Sequence, residues 1–113
     1  MKVAKILLLS IAGSASAVAD AQQEGERLFS LKVRRVLSSK CFACHGEEPK
    51  KIKGEFDLTT REGLLKGGES GEPGMVPGKP EVSSIVLAIE WKDEDFAMPP
   101  KENDKLTTWQ VDV

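Results

Sequence analysis

Two cysteines and a histidine within five residues carry the most specific chemistry in this sequence. Cys41 and Cys44 are separated by two residues and His45 follows directly, which is the Cys-x-x-Cys-His pattern of covalent haem attachment. On a helical turn, positions three and four apart lie on one face. Both thiols can then reach the two vinyl groups on one porphyrin edge, while the imidazole reaches the iron. The spacing predicts one covalent haem c, with His45 as an iron ligand.

Three other kinds of site could use a pair of cysteines at this spacing. A zinc site needs about four ligands, whereas the whole chain has two Cys and one His. A thioredoxin-like redox pair belongs in a βαβ context, and the surrounding sequence does not supply one. A local disulfide is the third alternative, because two thiols in an exported chain can simply pair.

A further iron ligand has to come from another residue type, because the single histidine is already used. A methionine thioether is the usual partner of histidine in cytochromes c. Met98 precedes Pro99 and Pro100, which fix φ and remove backbone donors, so this segment favours an extended strap that can hold a sulfur. The strap predicts Met98 as the ligand. Met75 is the rival ligand, and ordinary core packing of Met98 is a further alternative.

The first residues, 1–21, predict a secretory signal peptide. A basic start precedes an apolar run over residues 6–12, and small residues follow. The apolar run is far shorter than the roughly 20 residues that a membrane span needs. Cleavage after Ala17 or Ala21 satisfies the small-residue rule, and cleavage after Ala21 leaves residues 22–113 as one domain. We expect export to the periplasm, with an uncleaved anchor as the alternative.

The net charge of the chain limits the classes of binding partner that can be expected. The chain has 16 Lys and Arg against 18 Asp and Glu, a net charge of −2. Removing residues 1–21 takes away two lysines and one aspartate, which leaves a net charge of −3. Charges of both signs are interspersed, which argues against nucleic acid and against an anionic membrane surface as partner. We expect a redox protein or a fused or associated enzyme instead, and no membrane span after signal cleavage.

Two amphipathic helices are expected to position the motif and to form apolar walls of the haem pocket. Apolar residues recur at helical spacing over residues 24–39, directly before the motif, and again over residues 80–91. Acidic residues near the start of the first helix and basic residues near its end complement its dipole. The first stripe is Phe29, Val33, Val36 and Leu37, and the second is Val82, Ile85, Val86 and Ile89.

Between these helices, residues 56–66 predict a short extended piece and then a short helix. Phe56 and Leu58 alternate with charged residues, so their apolar side is expected to face the haem. Thr59 with Glu62 three residues later forms a capping-box pattern, which makes Thr59 the expected N-cap. Arg61 is either a partner of a haem carboxylate or, more simply, a surface arginine.

Three smaller features are assigned to the surroundings of the haem. The glycine-rich loop at residues 67–71 lacks the ending of a phosphate cradle, so its glycines are expected to let the backbone turn close to the porphyrin. Lys50, Lys51 and Lys53 form a small basic cluster, which is a solvated loop or a contact for a redox partner. Trp109 is expected to cover a haem edge.

Taken in order, these motifs resemble the Planctomycete-type cytochrome c domain. The resemblance covers essentially the whole chain after residue 21. It implies an all-α, class I-like cytochrome c fold, with a few short helices and Gly/Pro-rich loops around one covalent haem. The motifs that carry it are Cys-Phe-Ala-Cys-His-Gly at 41–46, Gly-Gly-Glu-Ser-Gly at 67–71, Val-Pro-Gly-Lys-Pro at 76–80, Ser83-Ser84, Met-Pro-Pro at 98–100 and Leu106-Thr107.

The resemblance also implies a role for each site residue. Cys41 and Cys44 would form the thioethers, His45 would be the proximal iron ligand and Met98 the distal one. Such domains are exported single-haem modules, often at the N-terminus of much larger proteins. In the family a full helix follows the Leu-Thr pair, whereas seven residues follow Leu106 here. We therefore expect an incomplete C-terminal helix and a truncated relative of a longer protein.

The functional expectation is an electron carrier that cycles one iron between the ferrous and ferric states and is not itself an enzyme. Two alternatives belong to other classes. One is the haem domain of a larger enzyme, or an open-site haem protein with peroxidase-like activity. The other is a sensor of a small ligand. A serine-histidine-aspartate site is excluded, because the one histidine is assigned to iron.

Overall fold

The structure is a computed structural model that describes residues 13–113, and within that range it contains helices, turns and loops but no strand. The predicted all-α fold is confirmed. Residues 1–12, with the basic and apolar parts of the predicted signal peptide, lie outside the described residues. The α-helices are α1 (Gly13–Leu28), α2 (Arg34–Lys40), α3 (Phe42–His45), α4 (Arg61–Lys66), α5 (Ser84–Ile89) and α6 (Thr108–Asp112).

Single turns of 3₁₀-helix lie in the loops between these helices. The 3₁₀ turns are Pro49–Lys51, Lys53–Glu55, Pro80–Val82 and Glu102–Asp104.

Across residues 13–113, no helix combines the length and the apolar character that crossing a bilayer requires.

A π-helical turn, Phe29–Val33, joins α1 to α2, so the predicted first helix extends further toward the N-terminus. Its i→i+5 hydrogen bonding widens the helix locally and shifts the facing of the residues before it. Val36 and Leu37 are buried as expected, whereas Phe29 is 41% exposed. The predicted stripe is therefore wrong at Phe29, because a regular helical period does not account for the wider turn.

The core lies directly behind the cysteine-histidine motif. Leu37, Leu58 and Leu64 are buried together, and we call this cluster the leucine core. Each fully buried leucine side chain contributes about 1.5–3 kcal/mol relative to an exposed one. Because Leu37 precedes the motif and Leu58 follows it, the cluster fixes α3 from both sides. Partly buried side chains that pack against it are Val33, Cys41, Phe42, Phe56, Met75 and Ile85.

Helix α4 begins one residue later than the sequence predicts. The Thr60 hydroxyl accepts a hydrogen bond from Gly63 N at 3.0 Å and is the N-cap. Thr59 donates instead to Asp57 Oδ1, from its amide at 2.8 Å and from its hydroxyl at 2.6 Å. The prediction of Thr59 as N-cap is wrong, because the preceding carboxylate engages that residue. These two hydrogen bonds also lower the pKa of Asp57.

Helix α5 starts from a fully buried hydroxyl. Ser83 is 1% exposed, and its Oγ donates to Lys79 O and accepts from Val76 N, each at 2.9 Å. Pro80 opens the preceding 3₁₀ turn, as the sequence predicts. The helix itself is shorter than predicted at both ends. Residues 80–82 form a 3₁₀ turn, and α5 ends before Trp91, whose backbone is left-handed with φ of 58°. The result is a short helix whose start is tied to the loop before it.

Candidate haem site

The cysteine-histidine motif forms one helical turn whose reactive side chains share a face. Cys41 lies just before α3, and its carbonyl accepts hydrogen bonds from Cys44 N at 3.2 Å and His45 N at 3.0 Å. Both thiols and the imidazole line one cavity, whereas Phe42 packs against the leucine core. The backbone therefore forms the helical turn that the spacing of the two cysteines and the histidine predicts.

The His45 ring is oriented by its own hydrogen bond. Its Nδ1 lies 3.0 Å from Phe56 O, and a carbonyl oxygen can only accept, so Nδ1 carries the proton and donates. The Nε2 atom is then left with a lone pair that can bind a metal. The Phe56 ring meets the imidazole edge-on, with centroids 5.9 Å apart. Leu58 N donates to His45 O at 2.9 Å and ties the same residue to the core.

The two thiols differ in their surroundings. Neither is in a disulfide, and Cys41 is half-buried while Cys44 is exposed. Burial raises the pKa of the Cys41 thiol, the neighbouring Cys44 raises it further, and Lys40 acts in the opposite direction. A raised pKa keeps Cys41 in the thiol form at neutral pH. Cys41 therefore faces the cavity as a thiol.

The two candidate methionine ligands lie in different places. Met98 lines the same cavity as the motif, and its amide donates to Ala88 O at 3.0 Å. Its side chain is 41% exposed, although Ala97 and Pro99 on either side are buried. Met75 packs against the leucine core instead and is not part of the cavity lining. The strap is thus anchored by its neighbours while its thioether side chain points to the cavity.

The cavity has a volume of about 400 Å³ and is lined mostly by apolar groups. That volume lies within the roughly 300–1,000 Å³ typical of small-molecule and cofactor sites. We call the lining residues at 41–58 the histidine wall. We call the lining residues at 84–100 the methionine wall. All four residues singled out from the sequence, Cys41, Cys44, His45 and Met98, line this one cavity.

The structure corrects the expectation for Trp109 and decides between the two alternatives for Arg61. Trp109 lies outside the cavity, 60% exposed, beside a groove formed with Leu31 and Arg35. The expectation that it covers a haem edge is wrong, because Trp109 lies beside the π-helical turn and α2 instead. Arg61 is exposed and also lies outside the cavity lining, so the surface alternative holds for it.

Other cavity residues were given no role by the sequence reasoning. Phe96 lies on the methionine wall, and Lys40 and Ser70 also line the cavity. The sequence offers one signal for Phe96, an isolated aromatic residue between an acidic run and the Met-Pro-Pro strap. For Ser70 the signal is its place in the loop at residues 67–71, which is expected to turn close to the porphyrin, although only the glycines of that loop were given a role. Of the three clustered lysines, Lys53 lines the cavity.

The chemistry of this site fits a covalent haem. Two free thiols on one helical turn, an imidazole with a free Nε2 and a thioether surround an apolar cavity of cofactor size. A small all-helical fold with this site defines a c-type cytochrome. The family model described as Planctomycete cytochrome C matches residues 41–102, which is more than half of the chain and includes all four residues.

The chain belongs to the Planctomycete cytochrome C family. Membership assigns it a role in haem binding and electron transfer. No curated protein matches the chain, and no solved structure matches it either. The family match ends at residue 102, before α6 begins.

Proposed function

We propose that this chain carries one haem c, bound through Cys41 and Cys44 and ligated by His45 and Met98, and that it passes single electrons between proteins outside the cytoplasm. The observation that carries the proposal is the meeting of these four side chains in one apolar cavity. The His45 hydrogen bond adds to this support, because it leaves Nε2 as the ligating atom.

In this proposal the two thiols attach the cofactor without any change of oxidation state. Each of Cys41 and Cys44 adds its S–H across a vinyl double bond. The sulfur bonds to one carbon and the hydrogen goes to the other. The Cys41 thiol carries a proton for this addition at neutral pH, and its raised pKa acts in the same direction.

Once bound, the haem supplies an iron that alternates between the ferrous and ferric states. The chain's own residues set how readily this happens. The His45 imidazole is fixed by Phe56 O, and the Met98 thioether favours the reduced iron. The apolar side chains of both walls restrict water, which further tunes the potential. One electron is accepted from a reduced protein and one is given to an oxidised protein.

Export and domain limits are part of the same proposal. Residues 1–21 would be a signal peptide removed after Ala17 or Ala21, and residues 22–113 would be the periplasmic domain. The net charge of −3 supports a protein partner, either a separate redox protein or an associated enzyme, rather than nucleic acid.

The proposal is tested by expressing the full chain in a host able to attach haem c. We expect a coloured periplasmic protein whose intact mass equals the processed chain plus one haem, and a redox titration with the slope of a one-electron couple. The double variant Cys41→Ser/Cys44→Ser is the matched control and should carry no covalent haem. Colourless exported protein with free or mutually bonded thiols would contradict the proposal.

The same material separates electron transfer from the open-site alternatives. A protein ligated by both His45 and Met98 should bind carbon monoxide slowly and incompletely in its ferrous form at neutral pH. Rapid and complete binding would favour a sensor or a peroxidase-like site.

A further inference from the structure

The lining of the haem cavity is mostly apolar, and its few charged side chains come from different segments of the chain. Its charged members are Lys40, Lys53 and Glu69. Lys40 directly precedes Cys41, so it belongs to the attachment end, and its Nζ already donates to Asp104 O at 3.3 Å. Lys53 comes from a separate segment of the wall. The cavity therefore has a second cation, on the 3₁₀ turn Lys53–Glu55 that packs against α3.

Lys53 and Ser70 lie on two segments that pack backbone to backbone. Glu69 N donates to Gly54 O at 2.8 Å. At Gly68 a Cβ atom would clash with Gly54 O, so a larger residue would push the segments apart. We call this pair of segments, with Lys53, Gly54, Glu69 and Ser70 facing the cavity, the polar lip.

The polar groups of the lip are available to a ligand. Ser70 Oγ accepts from Glu72 N at 3.3 Å, which leaves its own hydrogen free to donate. The ion pairs present in residues 13–113 join Lys51 to Glu48 and Lys92 to Glu90, so neither involves Lys53. An ammonium and a hydroxyl at the edge of an apolar cavity together suit a carboxylate.

A haem carries two carboxylates, on the porphyrin edge away from the vinyl groups. Lys40 directly precedes Cys41, which would hold the vinyl edge, so Lys53 is the lining cation that remains for a carboxylate. We propose that Lys53, assisted by the Ser70 hydroxyl, binds a haem carboxylate at the polar lip and raises the reduction potential of the iron. This inference rests on the proposed function.

The sign follows from Coulomb's law. A positive charge close to the haem favours the ferrous iron, which carries one positive charge fewer than the ferric iron. Pairing a carboxylate with Lys53 also offsets a negative charge that would otherwise stabilise the ferric form. Lys53 acts through the carboxylate rather than on the iron itself, so it is a positioning residue. Glu69 on the same lip acts in the opposite direction.

The test compares four haem-loaded proteins: the wild type, Lys53→Gln, Lys53→Arg and Lys50→Gln. Lys50 is the matched control, because it is a nearby exposed lysine that does not line the cavity. We expect Lys53→Gln to lower the midpoint potential and to shift the carboxylate bending band of the haem in the resonance Raman spectrum. Lys53→Arg should restore both, and Lys50→Gln should leave both near the wild type.

The outcomes separate this inference from the proposed function. A coloured protein in which Lys53→Gln and Lys50→Gln behave alike would overturn the role of the lip and leave haem binding intact. Failure of Lys53→Arg to restore the bending band would also overturn it. A colourless wild-type protein would overturn the proposed function and this inference together.

Discussion

The histidine wall and the methionine wall of the cavity are supported in different ways. On the histidine wall, the ligand side chain itself is held, by the 3.0 Å contact between His45 Nδ1 and Phe56 O, and the leucine core lies behind it. On the methionine wall, the backbone is held, by the 3.0 Å bond from Met98 N to Ala88 O, while the side chain remains 41% exposed.

In the proposed function, this difference means that the fold would place one ligand, whereas the cofactor would complete the placement of the other. The His45 imidazole needs no rearrangement, because its hydrogen bond already selects the ring orientation. The Met98 thioether is flexible and gains packing only when the cavity is filled. Substitutions on the histidine wall should therefore reduce the stability of the fold, whereas substitutions on the methionine wall should weaken ligation by Met98.

The largest expected effect is on the histidine wall. Leu58→Ala removes a side chain that is 4% exposed, and such a deletion in a core costs about 2–5 kcal/mol. Urea unfolding followed by circular dichroism should show this loss in both the haem-free and haem-loaded protein. Leu87→Ala, at a leucine that is 42% exposed, is the control and should cost much less. Equal losses would contradict the assignment of the core.

On the methionine wall, Ser83→Ala should separate ligation from folding. It leaves Val76 N without its buried acceptor, which costs about 1–3 kcal/mol. We expect the spectral signature of methionine ligation to disappear at a lower urea concentration than in the wild type, while His45 remains bound. Ser38→Ala, at an exposed hydroxyl that donates to Arg35 O, should change neither. Simultaneous loss of both ligands would show that the walls are not independent.

A smaller effect is expected at the start of α4. Thr60→Ala removes the N-cap and should cost about 1 kcal/mol of unfolding free energy. Thr59→Ala should cost less, because its hydroxyl serves the exposed Asp57 carboxylate rather than the helix. Denaturation of the two single variants measures the difference directly. A larger loss of stability in Thr59→Ala than in Thr60→Ala would contradict the assignment of Thr60 as the N-cap.

The smallest effect is a pH dependence at Asp57. Hydrogen bonds from Thr59 lower the pKa of this carboxyl below its ordinary value of 3.8. The stabilisation is therefore complete above that value and is lost as the pH falls through the lower folded-state pKa. Relative to Asp57→Asn, the wild type should be slightly more stable at neutral pH, and the difference should shrink in acid. A difference that grows in acid would contradict the sign.

The sequence predicts the histidine wall better than its surroundings because that wall depends on local spacing. The positions of Cys41, Cys44 and His45 follow from one helical turn, and Met98 is marked by its prolines. The outward turn of Phe29 could not be predicted, because the π-helical turn that causes it leaves no mark in a regular period.

Particular contacts decide the other differences, a local one at Thr59 and a longer-range one beside Lys53. Thr59 and Thr60 are equivalent as caps until Asp57 binds the first of them. Similarly, nothing local distinguishes Lys53 from Arg61 as the cation that lines the cavity. Lys53 lines the cavity because the segments of Gly54 and Gly68 pack together. This packing brings the loop at residues 67–71 against the 3₁₀ turn Lys53–Glu55.

The central claim is that Met98, rather than Met75, shares the iron with His45. The most direct measurement is the charge-transfer band of the ferric protein that a methionine sulfur ligand produces. The wild type and Met75→Ala should both show this band. Met98→Ala should lose it, with its haem still attached by mass and its reduction potential lowered. A band that survives in Met98→Ala, or an unchanged potential in that variant, would contradict the claim.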